Sequence, residues 1–60
     1  MAYYNEVVAR ETALALDETS NQDEITNKVY EAVKNEGILV SEDDVANSVK
    51  LLLTFNLYRG

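Results

Sequence analysis

Glu11 is the carboxylate whose position most needs explaining. On a helical wheel it falls near the middle of the arc that holds Val7, Leu14, Tyr4 and Ala15. Burying a carboxylate there unpaired would cost on the order of several kcal/mol. Glu11 is therefore expected to be a special buried carboxylate, partnered by Lys28, Lys50 or a tyrosine hydroxyl. Acid–base catalysis also needs a second group and a cleft, and a lone carboxylate supplies neither. A break in the core face, or a residue that fixes register in an oligomer, suits Glu11 better. Ser20, Ser41 and Ser48 carry hydroxyls, but the chain has no histidine to activate them. Without histidine or cysteine the common zinc, haem and iron–sulfur arrangements are excluded, and so is a disulfide. No phosphate-binding glycine loop, dinucleotide fingerprint or nucleophile elbow occurs. The expectation is a protein that is not an enzyme and takes no cofactor.

The remaining acids form two groups. Asp17, Glu18, Asp23 and Glu24 lie around one turn of the chain, and Glu42, Asp43 and Asp44 lie around another. Neither group continues into the alternating oxygen ligands and final glutamate of a calcium loop. Helix first turns favour acids through the dipole alone, which accounts for Asp23, Glu24 and Glu42 to Asp44. If the acids also act outwardly, Asp17, Glu18, Asp43 and Asp44 are the candidates for contacting a partner. Eleven acids against five bases give a net charge of −6, which disfavours phosphate backbones and anionic membrane surfaces. Another protein with a basic surface is the partner that charge favours.

These residues must be carried by one small domain spanning 1–60. A chain of sixty residues buries only about 60% of its unfolded surface, so self-association is a natural source of further stability. Three helical segments are predicted, over about 3–17, 21–35 and 42–57, making an all-α, compact three-helix bundle. In the first, Tyr3, Tyr4, Val7, Val8, Leu14 and Ala15 form the apolar face, and Glu6–Arg10 is an exposed i,i+4 pair. Ser20 is the expected N-cap of the second, whose stripe is Ile25, Val29, Ala32 and Val33 with Tyr30 at the edge. Glu24–Lys28 gives it another i,i+4 pair. Gly37 is the expected left-handed stop. Ile38-Leu39-Val40 is too short for a helix and suits a brief extended segment that plugs the core. Ser41 caps the third helix.

The third helix has more apolar surface than a bundle of this size needs. Val45, Val49, Leu52 and Leu53 form a conventional stripe, and Leu51, Phe55, Leu57 and Tyr58 lie outside it. Three short helices cannot surround one of their own number, so Leu51, Phe55 and Tyr58 are expected to be partly exposed in a monomer and to mark an interface. Tyr4, with Tyr3, fits the same picture, because tyrosine joins an apolar body to a polar tip. A homodimer through the third helix is the expectation. The alternative is a degenerate helix-turn-helix regulator associated with nucleic acid. Against it, the third helix opens Glu42-Asp43-Asp44 where a recognition helix needs Arg, Lys, Asn or Gln. No run is apolar and long enough to span a membrane, and no signal peptide is apparent, so the default location is cytoplasmic. In composition alone, the chain resembles small phage and plasmid accessory proteins that bind and block host machinery. The function this supports is a small acidic regulator or inhibitor acting by protein–protein contact.

Overall fold

A computed structural model describes the backbone of residues 3–59 and the side chains of residues 3–55. It is an all-α three-helix bundle: α1 spans Tyr4–Leu16, α2 Gln22–Asn35 and α3 Glu42–Arg59. Each helix packs against the other two. The Tyr4 hydroxyl meets Ser48, and further along Asn5 and Val8 share a groove with Leu51, Leu52 and Phe55. The chain therefore runs up α1, down α2 and up α3, with α1 and α3 side by side in the same direction.

The core is made of small branched side chains. Val7, Val8 and Ala15 of α1, Ile25, Val29 and Val33 of α2, and Val45 and Val49 of α3 are essentially inaccessible to solvent. Valine is a poor helix former because its side chain is fixed against the preceding turn, so these helices depend on tertiary packing rather than propensity. Each fully buried valine contributes roughly 1.5–3 kcal/mol relative to an exposed one. Larger groups lie around this centre: Tyr4, Leu16, Tyr30, Ile38, Leu52 and Leu53 are half-buried against it.

The buried face of α1 is rotated from the expected one. Thr12 is buried, while Leu14 is 55% exposed and Tyr3, the N-cap residue, 67%. Thr12 follows Val8 by four residues and precedes Ala15 by three, which places it on the same stripe. In α2, Thr26 is likewise buried and Ala32 is half-buried. The Thr12 hydroxyl has no hydrogen-bond partner.

The helix ends show which local signals hold. Gly37 has φ +82° and closes α2 with a Schellman motif: its amide donates to the Lys34 carbonyl and that of Ile38 to Val33. The motif turns Ile38 onto the core, where Val40 follows. Leu39 between them is 97% exposed, and no strand forms there, so the segment docks two side chains rather than plugging the core with three. The Ser41 hydroxyl accepts from the Asp44 amide and caps α3 as expected. The cap of α2 is Asn21, not Ser20. Its side-chain oxygen accepts from the amides of Asp23 (2.9 Å) and Glu24 (3.3 Å). Thr19 supports this choice by accepting from the Asn21 amide and donating to the Glu24 carboxylate at 2.7 Å. With the cap on Ser20, one residue earlier, that bond from the cap amide to Thr19 would not form.

Candidate interaction surface

The acidic residues are distributed rather than assembled. Asp17 and Glu18 follow the end of α1, whereas the Asp44 carbonyl lies 3.3 Å from the Tyr4 hydroxyl at its start. Thirteen helical residues separate those ends, about 20 Å at the usual rise. The two acidic groups therefore sit at opposite ends of the bundle and form no common face. All four candidates are exposed. Lys28 reaches Glu18 at 3.3 Å rather than Glu24, across an open polar notch of about 420 Å³ lined by Glu18, Thr19, Glu24, Asn27 and Lys28. Among the described residues, no group of three or more acids converges in a way that could hold a metal ion.

Glu11 is not buried. Its side chain keeps 27% of its accessible surface and pairs with Arg10 at 3.3 Å, not with Lys28, Lys50 or a tyrosine. Arg10 also lies 3.8 Å from Glu36, linking α1 to the end of α2, and makes no pair with Glu6. The stem of Glu11 occupies the apolar arc while its carboxylate reaches solvent, a solution open to long charged side chains. Exposed pairs of this kind are worth about 0–1 kcal/mol, so the Glu11 pair is not a major support of the fold.

The uncovered apolar surface lies on the second half of α3. Leu51 is 67% exposed and Phe55 69%, four residues apart on one face. Beside them runs a groove of about 290 Å³ lined by Asn5, Val8, Ser48, Leu51, Leu52 and Phe55. Among the described residues no charged side chain lines it, and the sequence from Leu51 to Tyr58 contains no charged residue. The Tyr58 side chain lies outside the described residues. Tyr4, expected alongside these groups, is committed within the chain: its hydroxyl is 2.9 Å from Ser48 Oγ and 3.3 Å from the Asp44 carbonyl. It packs against the core and is not a free contact. Leu39 and Leu14, both expected in the core, are further exposed leucines.

Chemically, the surface offers apolar contact, with the amide of Asn5 and the hydroxyl of Ser48 as the polar groups among its described lining residues. No helix among the described residues is long and apolar enough to cross a membrane. No family model, curated protein or solved structure matches the chain, so its own surface is the guide to what it does.

Proposed function

We propose that this chain is a small acidic protein-binding regulator or inhibitor that acts by protein–protein contact and self-associates through α3. The observation that carries the reading is the pair Leu51 and Phe55, two large apolar side chains more than 60% exposed beside an uncharged groove. Exposed apolar surface in contiguous patches is unfavourable in water and usually marks an interface. A thin valine core adds a reason for self-association, since burial between two copies supplies stability that sixty residues cannot reach alone. The net charge of −6 makes a basic protein surface the natural external target.

The test is solution mass by light scattering on the wild type and on a Leu51→Glu, Phe55→Glu double variant, with helix content followed by circular dichroism. A dimeric wild type and a folded, monomeric variant are expected. A wild type that stays monomeric at high concentration removes self-association and leaves the groove to a different protein.

A further inference from the structure

The outer face of α3 presents an exposed group and a recess together: Phe55, 69% exposed, forms one wall of the groove that Leu51, Leu52, Ser48, Val8 and Asn5 also line. A two-fold interface requires one patch to complement itself. Positions 51 and 55 are equidistant from Leu53, so two copies of α3 crossing antiparallel at Leu53 would set Leu51 against Phe55 of the partner subunit, and the reverse. Each phenylalanine then enters the other copy's groove. In a parallel crossing, Phe55 would meet its own copy and the grooves would stay empty.

Charge selects the same arrangement. Glu42, Asp43 and Asp44 are exposed in the first turn of α3. Parallel helices would bring both sets together at a helix spacing of about 8–10 Å. That is roughly one Debye length at physiological salt, so the repulsion would be only partly screened. Antiparallel about Leu53, Asp43 lies ten residues from the axis, and the two copies are about 30 Å apart along the helices. The groove itself favours a second copy over a basic protein. Among the described residues its lining holds no carboxylate to attract a cation, and Lys50, next to Leu51, is exposed. We infer that a second copy of this chain occupies the groove, with α3 packed antiparallel on α3 of the partner subunit and Phe55 exchanged between the two. This rests on self-association as read above and adds the orientation and the exchanged residue.

The chain has no cysteine, so one introduced thiol gives a unique label site. Thr54 and Asp43 are both exposed. Spin labels on Thr54→Cys and, separately, on Asp43→Cys are measured by pulsed electron resonance, with circular dichroism to check folding and light scattering to give the mass. The expected result is a short separation for Thr54, under about 20 Å, and a long one for Asp43, about 30 Å or more, given the helix rise and spacing. Adding Phe55→Glu should abolish both couplings in a folded monomer. Dimer formation should strengthen as salt rises, because the copies share a net charge of −6. Short separations at both sites would overturn the antiparallel orientation and leave self-association standing. A dimer with long separations at both sites would place the interface elsewhere. A monomeric mass with no coupling would remove the inference and the self-association reading together.

Discussion

The two halves of α3 differ in how far their apolar residues are covered. Val45 and Val49 have no accessible surface, whereas from Leu51 to Phe55 no side chain is fully buried. Hydrophobicity does not separate them, since Leu51, Leu52, Leu53 and Phe55 are larger apolar groups than the valines. Cover does. The first half lies between the valines of α1 and α2, with Tyr4 closing over Ser48. Beyond that point Leu52 and Leu53 still touch the core, but Leu51 and Phe55 face away from it. Apolar content along a helix thus states how much cover it needs, and the length and placement of its neighbours decide how much it receives.

The largest expected effect breaks this comparison outright. Val49→Asp places an unpaired charge where there is no solvent, a cost of several kcal/mol. A chain of this length has about 3–9 kcal/mol of stability at roughly 0.05–0.15 kcal/mol per residue. Val49→Asp should therefore abolish the fold, seen as loss of the helical circular dichroism signal. Phe55→Asp, six residues on in the same helix, should keep that signal and lose only the concentration dependence of the melting temperature. If Phe55→Asp also unfolds, the covered half depends on the uncovered half and the division drawn here is wrong.

Much of this was legible in the sequence, and the failures have physical causes. Periodicity located three helices, and the excess of apolar groups on α3 pointed to Leu51 and Phe55, which are exposed. Gly37 and Ser41 were readable because each is the single residue at its position able to do its task. The α2 cap was not readable in the same way, because Thr19, Ser20 and Asn21 all have suitable side chains and only the network among them favours Asn21. Glu11 departs from the expectation because a wheel records direction and not reach: its side chain keeps 27% of its surface and its carboxylate meets Arg10. Thr12 was passed over for being polar, although its spacing from Val8 and Ala15 put it in the core.

The connection that delivers the chain to the covered half of α3 provides the next test. At φ +82° a Cβ on residue 37 would meet no atom within 4 Å, so Gly37→Ala carries only the backbone cost. That cost is about 1–2 kcal/mol for a left-handed L-residue. It should appear as a lower urea midpoint with an unchanged slope. A larger loss would mean that Ile38 and Val40 had been pulled from the core, extending the damage to Val45 and Val49. At the other end of α2, Asn21→Ala should cost about 1 kcal/mol and Ser20→Ala a few tenths at most, since only Asn21 takes up helix amides. Equal losses would restore Ser20 as a cap.

A small effect is expected at the boundary between the halves. Tyr4 touches α3 through its ring, packed beside the core, and through its hydroxyl on Ser48 and the Asp44 carbonyl. Tyr4→Phe keeps the ring and removes the hydroxyl. Ser48 is only half-buried, so water can replace the lost partner, and the cost should be about 0.5–1 kcal/mol, at the low end for a hydrogen bond. If urea unfolding shows this small change and the dimer mass is retained, the ring is what covers Val45 and Val49. A loss well above it would mean that the hydroxyl fixes the angle of α1 on α3, and that the exposure of Leu51 and Phe55 depends on the polar contacts of one tyrosine hydroxyl.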